Sequence, residues 1–343
     1  MGGSIASGTA PTLEMVAARA GVSRATVSRV VNGSPKVSPD VAASVHEAIA
    51  ALNYVPNRAA RSLASRRTQA IALVVPESTA RVFNDPFFAT LVQGVGLALA
   101  DTEYTLSMLI ESEAAGDKTR RYLLGGNVDG ALVVSHHTGD HSYANVGRSL
   151  PVVFGGRPLD PSESVNYTVD VDNRHGAELA AQHLIERGRT RLATIAGPQD
   201  MPPGVDRLRG FSGVLIEAGL AADADAVAVE FGDFSPASGA IAMRRLLERN
   251  PSIDAVFAAN DQMAIGAYSA IAEAGRSVPD DIAVVGFDDD RYAATAMPPL
   301  TTVHQPSVEM GAEMARVLVR LIEGKEAQST TLLPTSLVVR QSS

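Results

Sequence analysis

TLEMVAARAGVSRATVSRVVNGSPKVSPDVAASVHEAIAALNYVPNRAARSLA, residues 12–64, is the stretch on which the reading of this chain turns. Thr12 can cap a helix whose apolar positions Leu13, Val16, Ala17 and Ala20 share one face, and Gly21 supplies the reversal that ends it. Ser23 then caps a second helix. Its Val27, Val30 and Val31, with Val22 just before it, can pack inward, while Arg24, Ala25, Ser28 and Arg29 fall on the opposite face. Asn32-Gly33-Ser34-Pro35 cannot continue a helix, and Ser38 restarts one in which Val41, Val45, Ile49 and Leu52 repeat at three- and four-residue steps. After Pro56, Asn57 caps a last segment that runs to Ala64, only about two turns long. A helix that short is marginal alone in water, so it is expected to fold only against a partner.

Charge separates this head from the rest. The 343 residues carry a formal net charge of −9, yet residues 1–67 hold 8 Lys and Arg against 3 Asp and Glu. Attraction to phosphate is local and screened within about a Debye length, so a basic head on an acidic body is expected to meet a polyanion through the head alone. Cysteine is absent, which excludes a disulfide framework, a thiolate metal site and a cysteine nucleophile, and suits a reducing cytoplasm. The opening MGGSIASGTAP has neither the charged nor the apolar region of a secretion signal, and no run of about 18 apolar residues occurs. Secretion and membrane insertion are therefore not expected.

Beyond a short polar linker at 66–69, continuous apolar runs recur at 70–75, 106–110, 131–134, 152–154, 192–196, 227–229, 255–258 and 283–287. Runs of this kind suit strands buried on both faces. Most are separated by helical stretches such as 87–100, 176–187 and 235–248, an alternation that predicts parallel, doubly wound α/β sheet. The strands are too many for one sheet and the pattern restarts near Asn173, so two similar lobes with a cleft between them are expected. Ligands of open α/β sheets bind beyond the carboxyl ends of strands. The residues there are Asn84, Asp85 and Phe87; Ser135, His136 and His137; Gly156 and Arg157; Asp170 and Asp172; Arg207; Phe234; Asn260 and Asp261; and Asp288. Carboxylates, amides, arginines and a few rings form the set that grips a polyhydroxyl compound, planar groups pairing with hydroxyls and rings covering an apolar sugar face.

Read as a whole, residues 12–64 closely resemble, without gaps, the headpiece of the lactose-repressor (LacI/GalR) family of bacterial regulators. VDVDNRHGAELAAQHLIERG, IAGP, RLRGF, FAANDQMAIGAYSAI, VPDDIAVVGFDD and PPLTTVHQP resemble the sensor core of the same family, which shares its fold with periplasmic sugar-binding proteins. The resemblance implies a helix-turn-helix headpiece at 12–56 after a disordered 1–11, a hinge helix and linker at 57–69, and a two-lobed sensing and dimerisation core at 70–340. Within that core it implies one lobe of about 70–168 and 298–328 and a second of about 169–297 and 329–340.

Carried over by position, Arg24, Ala25 and Arg29 would contact bases, Ser23, Ser28, Asn32 and Asn57 would contact phosphates, and Leu63 would wedge into a central base step. The chemistry agrees: arginine offers guanine a bidentate fork, an apolar wedge kinks a flexible step, and small polar groups fix register on phosphates. Val41 departs from the family, which often places a hydroxyl or charge there. Arg207, Phe234, Asn260 and Asp288 would be ligand contacts, with His304-Gln305 near a crossover between lobes. FNDPFF and the FGGRP loop most resemble regulators that sense plant-glucan disaccharides such as cellobiose, although Gly156 stands where one sugar-sensing branch has aspartate.

What is implied is a homodimer on a palindromic double-stranded DNA operator, under a small sugar effector, with repression as the family default. Some relatives add a C-terminal heptad tail that makes tetramers, whereas this chain stops at Ser343. A transporter-type sugar-binding protein, a sugar-modifying enzyme and a regulator of a non-sugar ligand such as a nucleobase are the alternatives. The first two leave the head unused.

Several other patterns point elsewhere and are set aside. Gly94-Val95-Gly96 imitates part of a dinucleotide fingerprint but falls inside a predicted helix, where packing explains it. His136, His137 and His141 lie in a loop without a carboxylate at metal-binding spacing, so no metal is expected. There is no nucleophile elbow and no phosphate-cradling loop, so neither catalysis nor a cofactor is expected.

Overall fold

The computed structural model describes residues 11–31, 34–55, 67–110, 116–135, 137, 146–159 and 167–343, with 116 and 117 by backbone alone. It divides into two compact units, Met1–Gln69 and Ala70–Ser343.

In the first unit, helices span Leu13–Ala20, Arg24–Val31 and Pro39–Leu52. The Thr12 hydroxyl accepts the Met15 N–H at 3.4 Å, and Gly21 closes the first helix at φ 66°, a conformation a Cβ would strain. The Ser23 hydroxyl accepts the Thr26 N–H at 3.1 Å. Ser38 makes no side-chain cap; Pro39, with φ already set for a helix, opens the third helix. Val16, Val27 and Val45 are completely buried, and Ala17, Val30, Ala48 and Tyr54 close the core around them. Full burial of such a side chain contributes roughly 1.5–3 kcal/mol, and it is this packing that holds helices too short to persist alone.

The second unit contains two six-stranded sheets. The first has the order β11-β5-β4-β3-β1-β2, with β1 Ala70–Val75, β2 Thr105–Ile110, β3 Gly130–Val134, β4 Val152–Gly155, β5 Thr168–Val171 and β11 Thr330–Leu333. The second has the order β12-β10-β9-β8-β6-β7, with β6 Leu192–Ala196, β7 Ala228–Phe231, β8 Ala255–Ala258, β9 Ala283–Asp288, β10 Thr301–His304 and β12 Ser336–Val338. All pairings are parallel except that of β10 with β12. Helices cover both faces, which is why β3, β6 and β8 are buried along their whole length.

The lobe boundaries differ from those expected. All of 168–171 pairs in the first sheet, although the second lobe was expected to begin at 169. Strand β10 lies in the second sheet, although 298–328 was assigned to the first lobe. Strand β11 lies in the first sheet, although 329–340 was assigned to the second. Strands β11 and β12 are parted at Pro334, which has no N–H to give a ladder. Strands β5 and β10 were not recognised because Thr168, Asp170, Thr301 and Thr302 interrupt their apolar character, yet all four are buried. The chain thus crosses between lobes after β5, after β10 and between β11 and β12.

Gly94 lies inside the Pro86–Leu99 helix, as its packing reading required. A Cβ there would come within 1.8 Å of the Val308 carbonyl oxygen, and one on Gly311 within 2.1 Å of that of Leu91. The two glycines let the Pro86–Leu99 and Ser307–Ile322 helices touch backbone to backbone on one face of the first sheet.

Candidate functional site

Two surfaces of different chemistry emerge, one on each unit. On the Arg24–Val31 helix, Val27 and Val30 are buried while Arg24, Ala25 and Arg29 are exposed and Ser28 is half-buried. The Arg24 guanidinium pairs with Glu14 at 2.9 Å, both side chains more than half exposed (69% and 55%). An exposed pair of this kind holds the fork in position at little cost to separate. The Ser23 hydroxyl caps the helix and shares a hydrogen bond with the Thr26 hydroxyl at 2.9 Å. Asn32, Asn57 and Leu63, also expected to contact nucleic acid, lie outside the described residues.

In the second unit, the carboxyl ends of β1, β3, β6, β7, β8, β9 and β10 supply residues of the interlobe cleft. Arg207, on the Pro202–Glu217 helix, is 4% exposed and sits at its floor. Its Nε donates to Asn173 Oδ1 at 2.9 Å, Nη1 to the Ala259 carbonyl at 2.5 Å and Nη2 to Gln305 Oε1 at 2.7 Å. Asp288 Oδ1 lies 3.4 Å from Nη1, and the guanidinium stacks 3.6 Å from the Phe287 ring centroid. Burial pushes the Asp288 carboxyl upward from the usual carboxylate range, against the pull of Arg207. Burial, then the nearby Asp288, likewise push Asp261 well up, although its carboxylate accepts from the Thr302 hydroxyl at 2.5 Å and the Asp290 N–H at 2.8 Å.

Asn260 spends its amide on the fold, accepting the Met263 N–H at 2.9 Å and donating to the Phe234 carbonyl at 3.0 Å. That second bond holds Phe234 at φ 68°, in the left-handed region a side chain rarely adopts. The Phe234 ring is pressed over Gly197, where a Cβ would stand 2.5 Å from it. Asp85 accepts the Phe87 N–H at 3.0 Å and so starts the Pro86–Leu99 helix, and burial raises its carboxyl as well.

These residues line connected spaces. An inner chamber of about 70 Å³ is bounded by Asp85, Phe87, Arg207, Phe234, Asn260 and Asp288, together with Arg81 and Gln305. An outer chamber of about 560 Å³ is bounded by Glu77, Arg81, Asn84, Asp85, His137, Asp233, Phe234 and Gln262. Nine of the fifteen strand-end positions expected from sequence therefore line one chamber or the other, Ser135 and His137 among them. Arg157 is not among the residues that line either chamber. Its Nη2 instead meets both carboxylate oxygens of Asp206 in the other lobe, at 2.5 and 2.6 Å, and its N–H donates to Asp170. Burial pushes Asp170 up to about 6. His136 lies outside the described residues.

Sequence reading missed Glu77, Arg81 and Gln262. Arg81 belongs to a helix, Thr79–Asn84, that was not expected; its signals are a capping Ser78 and the Asp85-Pro86 start of the next helix. His137, named among several candidates, turns out to span the lobes: Nε2 meets Glu77 Oε1 at 3.1 Å and Nδ1 meets Asp200 Oδ2 at 2.8 Å. Those carboxylates, Glu77 first, raise the imidazole to about 9, so it is charged at neutral pH. A raised histidine contributes fully below its ordinary value near 6.5 and loses its contribution as pH climbs through about 9. Accordingly, the melting temperature of His137→Ala should fall below that of the parent at pH 6–7, and the gap should close by pH 10. A gap of constant size across that range would refute the charged bridge.

Among the described residues no helix is long and apolar enough to cross a membrane, and no group of three or more acidic or histidine side chains is arranged to hold a metal ion.

Comparison with known proteins adds to this geometry. Residues 12–57 match the family described as bacterial regulatory proteins, lacI family, and residues 181–343 match a periplasmic binding protein-like domain. The chain is 49% identical over 340 residues to the HTH-type transcriptional regulator CelR of Thermobifida fusca, covering 97% of this chain and 98% of that protein. It is 36% identical over 338 residues to the ribose operon repressor of Escherichia coli, covering 97% and 99%. A solved CelR–cellobiose complex matches at 46% identity and TM-score 0.77, over 97% of this chain and 100% of that one. A lac repressor dimer bound to operator and the anti-inducer ONPF matches at 29% identity and TM-score 0.84, over 97% and 98%.

Proposed function

We propose, from the premise that this chain belongs to the lacI family of bacterial regulatory proteins, that it is a transcriptional repressor released from or held on its operator by a β-linked glucose disaccharide of the cellobiose type. The observation that carries the effector is the likeness to CelR along nearly the whole of both chains, CelR having been solved with cellobiose. The cleft supports it: paired carboxyls, guanidinium groups and amides meet the hydroxyl rim of a sugar, while Phe87 and Phe234 suit its apolar faces.

In this reading the protein is a cytoplasmic homodimer on a palindromic operator and catalyses nothing. Two copies of the exposed Arg24–Val31 face need two-fold symmetry to read two half-sites. The effector touches both lobes and favours one arrangement only through its differential affinity, typically about 1–3 kcal/mol of coupling. The covalent route from the lobes to the first unit is the segment 57–69. A gel-shift with the DNA upstream of its own gene, run without sugar and with cellobiose, glucose or a purine base, tests the reading. A band that responds to cellobiose alone supports it; one that responds only to the purine overturns the effector assignment, and no band overturns the operator assignment.

A further inference from the structure

Residues 12–64 contain three acids, Glu14, Asp40 and Glu47, and one of them stands against the helix whose exposed face bears Arg24, Ala25 and Arg29. Glu14 sits in the first turn of the Leu13–Ala20 helix, off the face that buries Val16 and Ala17. It is ion-paired at 2.9 Å with Nη1 of Arg24, the first residue of the Arg24–Val31 helix. Its own backbone N–H, then the Thr12 hydroxyl and then the charge of Arg24 hold its carboxyl below the usual carboxylate range, so it is ionised at neutral pH.

A fixed negative charge is out of place on a surface that meets DNA. Duplex DNA carries about one phosphate charge per 1.7 Å of axis, and its major groove is about 12 Å wide. A carboxylate at the fork of a groove-reading arginine therefore stands within about a Debye length of the phosphates and opposes binding to every sequence alike. Its place in a first turn also favours the helix, a structural role that the Thr12 cap shares. That role leaves the pairing with Arg24 unexplained.

Orientation explains it. An arginine side chain gives up rotamer freedom when its planar fork is fixed on a base edge. Glu14 fixes the fork beforehand through one nitrogen and leaves its other N–H groups to donate. Entry of the helix into a groove displaces water from both partners, so a pair that is weak in solvent strengthens in place. We infer that Glu14 is a positioning residue that sets sequence discrimination: it holds the Arg24 fork in the setting that meets its base, while its charge lowers affinity for DNA of any other sequence. The inference rests on the reading of Arg24 as a base contact.

Fluorescence anisotropy of the full-length protein tests it, with three duplexes: the operator found by binding-site selection, that operator changed at the base pair assigned to Arg24, and a scrambled sequence. Glu14→Gln keeps the size of the side chain and removes its charge. It should bind the scrambled duplex about three- to tenfold more tightly, and its preference for the operator over the changed duplex should fall by about three- to tenfold. Glu47→Gln, which removes the same charge from an exposed position on the third helix, should leave that preference at the parent value. In an Arg24→Ala background, Glu14→Gln should alter no preference further, because no fork remains to be positioned. The melting temperature of Glu14→Gln should stay within a few degrees of the parent's. An unchanged or sharpened preference in Glu14→Gln, the same fall in Glu47→Gln, a further fall in the Arg24→Ala background, or weaker binding to all three duplexes with a large fall in melting temperature would each overturn the inference. Arg24→Ala that keeps the parent's motif would overturn the reading on which the inference rests, and that result is visible without any Glu14 variant.

Discussion

Arg207→Met should abolish the response to effector and destabilise the second unit by about 3–5 kcal/mol, the usual cost of removing one partner from a buried charged cluster. The guanidinium satisfies the Asn173 amide oxygen, the Ala259 carbonyl and the Gln305 amide oxygen, and it offsets the charge of Asp288. Methionine fills much of the space over Phe287 but offers none of those donors. The pH dependence identifies the cause. Without its counter-cation, the Asp288 carboxyl, already raised by burial, rises further and escapes its penalty by taking up a proton. A carboxyl raised in the folded state favours folding below its ordinary value and ceases to do so as pH rises through the raised one. The deficit of Arg207→Met should therefore be larger at pH 8 than at pH 5, as read by denaturant unfolding. A deficit that is small, or that grows towards acid, would show that the cluster does not hold this lobe together. Operator binding, measured by fluorescence anisotropy well below the melting point, should survive while the effect of sugar on it is lost.

The second large effect concerns readout. Arg24→Ala should relax sequence preference at one position in each half-site, by about 1–3 kcal/mol against the wrong base, while leaving the fold intact. Its guanidinium is exposed and its pair with Glu14 is solvated, so little stability depends on it. Ser28 at the same helix face, in the role of a phosphate contact, should instead lower affinity for every sequence alike on conversion to alanine. Binding-site selection on the two variants reads the difference directly, and an unchanged motif for Arg24→Ala would remove the residue from base recognition.

How much of this was legible beforehand depended on the range over which each feature is encoded. Thr12, Gly21 and Ser23 announce helix ends through bonds to neighbours three or four residues away, and each end was found where it was read. The Gly94-Val95-Gly96 segment was read as packing, and Gly94 touches the backbone of a helix more than two hundred positions downstream. Strands β5 and β10 escaped because their buried threonines and aspartate look solvated to any reading of hydropathy. They are tolerated inside because they find partners, Asp170 in the N–H groups of Arg157 and Val171, and Thr302 in Asp261.

By itself, the sequence determined the local periodicities: three short helices with an arginine-bearing outer face, parallel strands buried on both sides, and a cleft lined at strand ends. Those follow from spacing along the chain, because hydrophobic burial acts on whichever face the apolar residues share. The tertiary structure alone decided which strand joins which sheet and how charges pair across the cleft. Arg157 with Asp206, His137 with Asp200 and Arg81 over Phe234 join residues 49, 63 and 153 positions apart. Such pairs leave no periodic trace in the chain, because their geometry exists only once the chain has crossed between lobes and set two rigid sheets opposite each other.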